Sequence, residues 1–339
     1  MNNNPQQPVN LFETRDVLQY SLFAIGIIAF FLITQSINTA QPAPVTETKT
    51  VQQPASLIPY APKVNPFQDL RLLAKAAIVL DATTGKTLYE MNPDIPFPLA
   101  SLTKLMTALA ATETPTPQNQ TVTISEQALA TEGNSGLYVN EKWSLQKLIQ
   151  YMLVVSSNDG AKALALTLGA YPTPEHGDGT PRPSTDTYTS FITRMNAIGA
   201  RLGLRNTNFN NATGLDETAI QGGSYGSARD MGTLLSYLYK HNPELLVPTR
   251  YSATTITSID GIEHPAKNTN TVVESIPGIR GSKTGYTDLA GGNLAVVFDA
   301  SFGEPVVIIV LGSTPEGRFT DTLNLARAAR IQLSLDVKE

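Results

Sequence analysis

Residues 293–313, NLAVVFDASFGEPVVIIVLGS, decide the fold class of this chain. Two apolar runs, NLAVVFDA and PVVIIVLGS, flank the turn sequence SFGE, and this pattern predicts two adjacent strands. A third strand is predicted just before them, at GIRGSKTGYT (278–287). Far upstream, KAAIVLDATTGKTLYEMN (75–92) predicts another strand pair around its Thr-Thr-Gly turn. Strands are therefore predicted both early and late in the globular part of the chain.

Helical periodicity fills the sequence between these strands and returns after them. Apolar residues recur at helical spacing in SLTKLMTALAAT (101–112), SLQKLIQYMLVV (144–155), TSFITRMNAIGARLGL (189–204), SARDMGTLLSYLYKH (227–241) and FTDTLNLARAARIQLSL (319–335). A strand pair, a block of helices, a run of strands and a final helix predict an α+β fold. In such a fold, helices pack on an antiparallel sheet.

The composition narrows the possible functions. The chain has 339 residues, of which 41% are hydrophobic and 16% charged, and this is enough for a sizeable core. Its net charge of −5 offers no basic surface that would indicate a nucleic-acid partner. The absence of cysteine excludes disulfides, cysteine-ligated zinc and a thiol nucleophile. The histidines His176, His241 and His264 lack metal-binding spacing, and we interpret them as surface or loop residues.

An apolar stretch without charges, residues 17–37, lies near the N-terminus. It is long enough for a bilayer helix, and it fits either an uncleaved anchor or a cleaved signal peptide. The anchor is favoured because the preceding residues include Glu13 and Asp16 beside Arg15, and because Ala40 is only a fair cleavage position. Both alternatives place the remainder of the chain outside the cytoplasm.

The sequence divides into four predicted segments. These are a short tail at 1–16, the anchor or signal at 17–37, a Pro/Thr-rich linker at 38–66 and a globular domain at 67–337. Inside the domain, residues 169–187 carry Pro and Gly throughout and predict a surface loop. A functional lid is the alternative for this loop.

Ser101 and Lys104, in SLTK, lie at positions i and i+3 of a predicted helix and therefore share one face. A serine hydroxyl needs a base in order to attack, and Lys104 could be that base only if its environment keeps it neutral. The alternative is a serine that caps the helix and a solvated lysine. The same spacing recurs at Ser144 and Lys147 in SLQK, and we expect at most one of the two pairs to be catalytic.

Ser156, Ser157 and Asn158 interrupt two apolar helical runs in VVSSNDGAKALA. Polar groups in such a position need partners or water. One interpretation places Ser156 and Asn158 in a cleft, where one passes a proton and the other binds substrate. The alternative is an ordinary turn between two helices.

Lys283, Thr284 and Gly285 belong to the predicted strand GIRGSKTGYT. Glycine weakens the interior of a strand unless another backbone must come close. One interpretation is a strand at the edge of the sheet that pairs with a peptide substrate, with Lys283 attracting a carboxylate. The alternative is a β-bulge.

The order of these motifs is informative. Ser-x-x-Lys, Ser-x-Asn and Lys-Thr-Gly follow one another about 55 and then about 125 residues apart, as in class A β-lactamases and penicillin-binding proteins. With the flanks of the motifs and with NNATGLDE and YGSARDMGTLL, the chain resembles the serine D-alanyl-D-alanine carboxypeptidases, the low-molecular-mass penicillin-binding proteins. The resemblance covers roughly residues 70–335. It implies a β-lactamase/transpeptidase-like α+β fold, with N- and C-terminal helices packed on one face of an antiparallel sheet and a helical subdomain.

The resemblance also implies a catalytic role for particular residues. Ser101 would attack the carbonyl between two D-alanines and become acylated, with Lys104 as the base. Ser156 would relay a proton to the leaving D-alanine. The oxyanion hole would consist of the backbone N–H groups of Ser101 and Tyr286.

The residues that the resemblance assigns to substrate binding are Asn158, Lys283, Thr284, Gly285 and Tyr286. Asn158 would hold the substrate amide. Lys283 would face the terminal carboxylate and would also help to keep Lys104 neutral, while Thr284 would donate a hydrogen bond.

The partners implied by the resemblance are a peptidoglycan stem peptide ending in D-Ala-D-Ala, β-lactams as inhibitors and the membrane through residues 17–37. No cofactor, metal or nucleic acid is implied. A D,D-endopeptidase that cleaves peptidoglycan crosslinks is the main alternative, because the same machinery serves both reactions. A catalytically inactive peptidoglycan-binding protein is a further alternative. A class A β-lactamase is disfavoured because the sequence has no E-x-x-L-N pattern.

Overall fold

The computed structural model describes residues 65–116, 119–171 and 186–336. The predicted tail at 1–16, the anchor or signal at 17–37 and most of the linker at 38–66 lie outside the described residues, as does most of the loop at 169–187. The boundaries of the domain at 67–337 stay predictions. Among the described residues, no helix has the length and apolar content needed to cross a membrane.

Five strands form the central antiparallel sheet. In order across the sheet, they are β10 (Ile279–Thr287), β11 (Gly291–Ser301), β12 (Glu304–Ser313), β1 (Ala76–Asp81) and β2 (Thr87–Met91). Strand β1 pairs with β12, with Ile78 opposite Ile309, so the beginning and the end of the domain meet within the sheet. Strand β10 lies at an edge, as predicted for the strand that carries Lys-Thr-Gly.

Shorter elements surround this sheet. The remaining strands are β3 (Phe97–Pro98), β4 (Thr121–Thr123), β5 (Lys142–Ser144), β6 (Asn208–Phe209), β7 (Ser224–Gly226), β8 (Ala253–Thr257) and β9 (Glu263–Lys267). The helices are α1 (Thr103–Glu113), α2 (Glu126–Leu129), α3 (Leu145–Val155), α4 (Asn158–Leu168), α5 (Thr187–Arg201), α6 (Ala228–His241), α7 (Pro243–Leu246) and α8 (Gly317–Asp336). Short 3₁₀ turns lie at Ala100–Leu102, Val247–Arg250 and Val273–Ser275.

The central sheet is covered on both faces. Alternate side chains of a strand point to opposite faces, so Ile78 and Ile309 pack with the helical part of the domain, whereas Val79 and Ile308 pack with α8. Burial on both faces explains why the strands read as continuous apolar runs in the sequence rather than as alternating patterns. The predicted α+β fold is therefore confirmed.

The two terminal helices of the implied fold have different outcomes. The C-terminal helix α8 packs on β11 and β12, as the resemblance implies. Among the described residues before β1, the chain forms turns instead of a helix, and Phe67 and Ala74 cover the same face of the sheet. The implied N-terminal helix therefore does not lie between residue 65 and β1.

The interpretation of the histidines is wrong for His264. This residue lies in β9 with only 4% of its surface exposed. Its Nε2 lies 2.6 Å from Glu141 Oε1, and the Trp143 ring packs 5.0 Å away, centroid to centroid. His241 ends α6 and is exposed, as predicted, whereas His176 lies outside the described residues.

Candidate active site

Ser101 lies in the 3₁₀ turn that leads into α1, and not at the cap of a helix. The turn is tight because Ala100 has a φ of 47°, in the left-handed region that side chains disfavour. No side chain caps this turn or α1. The interpretation of Ser101 as an N-cap is therefore wrong, and its hydroxyl is engaged with a different partner.

Lys104 is the partner of Ser101. Its Nζ donates to Ser101 Oγ (2.8 Å), Asn158 Oδ1 (2.6 Å) and the Thr213 carbonyl oxygen (2.7 Å), and its side chain is fully buried. Burial lowers the pKa of Lys104 to about 7, against the opposing negative charge of Asp159. A lysine with this pKa is partly unprotonated at neutral pH, so it can accept a proton from the serine.

Ser156 ends α3 in a left-handed conformation, with a φ of 63°. This geometry lets Ser157 begin α4, where its hydroxyl accepts a hydrogen bond from the Gly160 N–H at 2.8 Å. Ser156, Ser157 and Asn158 thus form a turn between two helices, which is one of the two predicted alternatives. The turn also brings Asn158 beside Lys104. Strained residues such as Ser156 and Ala100 tend to occur at functional sites.

Lys283 is 1% exposed and lies beside Ser156. Its Nζ donates to Ser156 Oγ (2.8 Å) and to the Thr284 carbonyl oxygen (2.7 Å). Burial, followed by the positive charges of Lys104 and Arg318, lowers the pKa of Lys283 well below its ordinary value. The resemblance implies that Lys283 helps to keep Lys104 neutral, whereas the low pKa of Lys104 is caused by burial.

Strand β10 passes directly over the turn that holds Ser101. A Cβ atom on Gly285 would lie 2.8 Å from the Leu99 carbonyl oxygen and 3.2 Å from the Ser101 nitrogen. Gly285 pairs in regular register with Asn293, so the bulge interpretation is wrong at this position. The close approach of two backbones is the reason for the glycine, as one interpretation predicted.

The remaining predicted residues flank this crossing. Thr284 Oγ1 donates to Thr269 Oγ1 at 2.6 Å, and the Tyr286 side chain is half exposed, with its hydroxyl 3.2 Å from Asp288 Oδ1. The second Ser-x-x-Lys pair lies elsewhere. Ser144 caps α3, as predicted, and Lys147 Nζ donates to the Thr257 carbonyl oxygen.

Sequence reasoning missed several residues that support the site. Asp159 is buried, and its Oδ2 accepts hydrogen bonds from the backbone N–H and the hydroxyl of Ser135 at 3.1 and 2.8 Å. Ser135 Oγ lies 2.6 Å from Ser157 Oγ, so a loop distant in sequence holds the start of α4. Asp159 could have been noticed as the acidic neighbour of the Ser-x-Asn turn, whereas Ser135 has no local signal.

Arg318, at the start of α8, was also missed. Its Nη1 donates to the Gly285 carbonyl oxygen at 2.7 Å, and burial lowers its pKa. The arginine therefore fixes the edge strand at the crossing and adds positive charge near Lys283.

Two cavities adjoin the site, and a larger one does not. A cavity of about 360 Å³ is lined by Ser156 and Asn158 together with Ser135, and one of about 300 Å³ is lined by Thr213 among others. A cavity of about 620 Å³ is lined instead by residues around Ser144.

The buried serine–lysine pair, the serine–asparagine turn and the edge strand can together carry out serine acyl transfer, in which a lysine accepts the proton of the serine. This arrangement defines the class of serine acyl-transfer enzymes. The chain belongs to the D-alanyl-D-alanine carboxypeptidase family, peptidase S11, whose sequence pattern matches residues 63–175 and 181–314. The family predicted from the sequence is confirmed.

The names of individual relatives are consistent with this family. The D-alanyl-D-alanine carboxypeptidase DacF of Bacillus subtilis is 29% identical over 274 residues, which are 77% of this chain and 65% of the relative. The chain thus spans about two thirds of the length of that relative. A D-alanyl-D-alanine endopeptidase of Pseudomonas aeruginosa is also 29% identical, over 76% of this chain and 77% of the relative. The cefotaxime-bound structure of penicillin-binding protein D2 from Listeria monocytogenes is 31% identical, with a TM-score of 0.62, over 77% of this chain and 98% of that one.

Proposed function

We propose that this protein is a serine D,D-carboxypeptidase that removes the terminal D-alanine from peptidoglycan stem peptides through an acyl-enzyme. The observation that carries the proposal is the set of contacts of Lys104 Nζ, which bonds both Ser101 Oγ and Asn158 Oδ1 inside a fully buried site. Membership of the D-alanyl-D-alanine carboxypeptidase family supports the choice of substrate.

In the proposed acylation, Ser101 Oγ attacks the carbonyl carbon of the bond between the two D-alanines. The serine proton passes to Lys104 Nζ, which lies 2.8 Å away. The negative charge that develops on the carbonyl oxygen is stabilised by the backbone N–H groups of Ser101 and Tyr286. The close approach of Gly285 to the Ser101 nitrogen supports this pairing of the two N–H groups.

Departure of D-alanine requires a proton on its nitrogen. Ser156 donates its hydroxyl proton to that nitrogen and takes one from Lys283, whose Nζ lies 2.8 Å from Ser156 Oγ. Lys104 gains one proton, from Ser101, and Lys283 loses one, to Ser156, so the two lysines together hold the same number of protons before and after acylation. Loss of its charge weakens the hold of Lys283 on the D-alanine carboxylate, which favours release. Water then hydrolyses the ester, restores the Ser101 hydroxyl and frees the shortened peptide.

Substrate binding uses the edge strand and the α3–α4 turn. Lys283 and Thr284 face the terminal carboxylate, and Gly285 and Tyr286 follow along the strand. Asn158 holds the substrate amide. In the free site its Nδ2 donates to the Glu132 carbonyl oxygen at 2.8 Å, so this bond has to be shared or exchanged when substrate binds. We also propose that β-lactams acylate Ser101, in keeping with the cefotaxime- and ampicillin-bound structures of the Listeria relative.

A D,D-endopeptidase is the second candidate. It is favoured by the relatives named D-alanyl-D-alanine endopeptidase from Pseudomonas aeruginosa and Escherichia coli, whose own lengths are covered more fully than that of the Bacillus relative. Incubation of the full chain with a pentapeptide and, separately, with crosslinked dimers distinguishes the two activities. Release of free D-alanine from the pentapeptide supports the carboxypeptidase, and cleavage of the dimers alone overturns it. Acylation by a fluorescent penicillin without turnover of either substrate would also contradict it.

We further propose that the catalytic domain acts outside the cytoplasm, held at the membrane by residues 17–37. The proposal rests on the apolar character of that stretch and on the peptidoglycan substrate. The N-terminal sequence of the mature protein and its distribution between membrane and soluble fractions test it. A mature chain that begins after residue 37 would contradict the anchor.

A further inference from the structure

The loop at residues 211–215, in the sequence NNATGLDE, reaches the site through a backbone atom. The Thr213 carbonyl oxygen accepts a hydrogen bond from Lys104 Nζ at 2.7 Å. The direction of a backbone carbonyl is set by the conformation of its loop and by the groups that hold the loop. The proposed reaction assigns no role to the side chains of this loop.

The three neighbours of Lys104 Nζ differ in whether they can donate a hydrogen bond. Asn158 Oδ1 and the Thr213 carbonyl oxygen carry no hydrogen and only accept, whereas Ser101 Oγ carries a hydrogen. The ammonium form of Lys104 has three N–H groups for these three neighbours, but the neutral amine has two N–H groups and one lone pair. When the two N–H groups bond the two acceptors, the lone pair faces Ser101 Oγ. Lys104 can accept the serine proton only in this orientation.

Both acceptors have to be held in place for this orientation to persist. Asn158 presents its oxygen to Lys104 because its Nδ2 donates to the Glu132 carbonyl oxygen at 2.8 Å. If the Thr213 carbonyl turned away, the amine could rotate and direct an N–H at Ser101 Oγ. In that orientation the lone pair no longer faces the serine hydroxyl.

Asn211 holds the Thr213 carbonyl. Its side chain is buried, and its Oδ1 accepts hydrogen bonds from the Gly214 N–H at 2.7 Å and from the Thr213 N–H and hydroxyl, each at 3.1 Å. The Gly214 N–H and the Thr213 carbonyl belong to one planar trans peptide unit and point in opposite directions. The bond from Gly214 to Asn211 therefore directs the Thr213 oxygen away from Asn211 and toward Lys104.

The other end of the Asn211 side chain closes the same loop. Its Nδ2 donates to the Leu215 carbonyl oxygen at 3.0 Å. Thr107 Oγ1 donates to the Ala212 carbonyl oxygen at 2.7 Å, and Thr107 lies three residues after Lys104 on α1. The loop is thus bonded to the helix that carries the base, so its position relative to Lys104 is defined.

We propose that Asn211 is a positioning residue for the catalytic base: by fixing the peptide unit between Thr213 and Gly214, it directs the lone pair of neutral Lys104 at Ser101. Asn211 acts through a backbone carbonyl rather than by contact with the reacting atoms. The inference rests on the proposed function, in which Lys104 accepts the serine proton.

The test measures acylation of the full chain by fluorescent penicillin over a range of penicillin concentrations. The pH is kept above about 7, the pKa of Lys104, so that the lysine is mainly unprotonated. Two quantities follow: the limiting rate constant of acylation and the penicillin concentration that gives half of it. Asn211→Ala should lower the limiting rate constant about tenfold, because the base is no longer oriented. The half-saturating concentration should stay as in the wild type, because the groups proposed to bind penicillin lie on β10 and in the α3–α4 turn.

A conservative variant should restore part of the rate. A serine hydroxyl can accept from the same backbone N–H groups, but more weakly than an asparagine oxygen. The limiting rate constant of Asn211→Ser should therefore lie between those of the wild type and Asn211→Ala. This variant also provides a measurement if Asn211→Ala does not fold.

Asp81 offers a matched control in the hairpin between β1 and β2. Its Oδ1 accepts from the N–H groups of Thr83 at 2.8 Å and Thr84 at 3.0 Å, two and three residues further on, as Asn211 Oδ1 does from Thr213 and Gly214. Asp81→Ala removes an equivalent turn and should leave the limiting rate constant unchanged. The fraction of protein labelled at completion separates misfolding from slow chemistry, because an unfolded portion lowers that fraction and not the rate constant of the folded molecules.

The outcomes separate this inference from the proposed function. A wild-type limiting rate constant in Asn211→Ala, or in Asn211→Ser if the alanine variant does not fold, overturns the positioning role. A change confined to the labelled fraction or to the half-saturating concentration overturns it as well. Absence of penicillin labelling and of D-alanine release in the wild type contradicts the proposed function instead.

Discussion

Lys283 Nζ lies 2.8 Å from Ser156 Oγ, although the two residues are 127 positions apart in sequence. The contact joins the edge strand β10 to the turn between α3 and α4. Asn158, in the same turn, bonds Lys104, and the positive charge of Lys104 lowers the pKa of Lys283. The site can therefore hold one positive charge more readily than two.

Ser101→Ala should abolish labelling by fluorescent penicillin and lower D-alanine release by about 10³-fold or more, because no other group replaces the nucleophile. Ser144→Ala is the matched control in the second Ser-x-x-Lys pair. It removes a helix cap and should lower the free energy of unfolding by about 1 kcal/mol. Labelling by fluorescent penicillin should be unchanged. Labelling that survives in Ser101→Ala would falsify the assignment of the nucleophile.

The pH dependence of acylation should follow the titration of Lys104. This lysine has a pKa of about 7 and acts as a base only when unprotonated, so the rate should rise with pH through about 7. Below this pKa the rate should fall about tenfold per pH unit. The rate of penicillin acylation across this range measures the effect, and a flat profile would exclude Lys104 as the base.

Asp159→Asn should shift the rise of the acylation rate with pH to lower pH. The negative charge of Asp159 raises the pKa of Lys104, and the amide has the same shape without the charge. The variant should therefore reach its maximal acylation rate at a lower pH than the wild type. Asp69→Asn, at an exposed position, is the control. If the rise of the acylation rate stays at the same pH or moves to higher pH, the negative charge of Asp159 does not raise the pKa of Lys104.

Lys283→Met should remove the preference for a free terminal carboxylate. For the wild type, kcat/KM should be about 100-fold higher for a peptide ending in D-Ala-D-Ala carboxylate than for the same peptide amidated, because a buried cation pairs with the carboxylate. In Lys283→Met the two peptides should become nearly equivalent. Lys142→Met, at an exposed site in β5, serves as control. Retention of the preference in the Lys283 variant would assign carboxylate binding to another residue.

Two glycines with similar backbone conformations should respond differently to alanine. Gly203 has a φ of 75° and open space around its Cβ position, so Gly203→Ala should cost about 1 kcal/mol of unfolding free energy for the backbone alone. Gly214 has a φ of 80°, and a Cβ there would lie 1.9 Å from the Ala100 carbonyl oxygen. Gly214→Ala should cost about 3 kcal/mol or more and should also slow acylation, because Ala100 precedes Ser101.

Denaturant unfolding and penicillin acylation, measured on both glycine variants, test this pair of predictions. Equal losses of stability in the two variants would show that the clash with Ala100 is relieved by movement elsewhere. Slowed acylation in Gly203→Ala would show that the effect on Ser101 is not local.

The candidate site was partly predictable because its key spacing is local. Ser101 and Lys104 are three residues apart, and a helical turn places them together whatever surrounds them. The order of the three motifs then indicated the family. The buried pair of His264 and Glu141 was not predictable, because a histidine in a short polar strand reads as exposed until its partner is known.

The sequence by itself determined the family and fold class, the early and late strands of the central sheet with the longer helices between and after them, and the spacing that places Ser101 beside Lys104. It did so because apolar periodicity and short-range spacing are properties of neighbouring residues. Only the tertiary structure decided that Lys283 contacts Ser156 across the cleft, that burial lowers the pKa of Lys104, and that Gly285 passes close to the turn that holds Ser101. These features depend on pairings between distant segments, such as β1 with β12, and on how completely each side chain is removed from water.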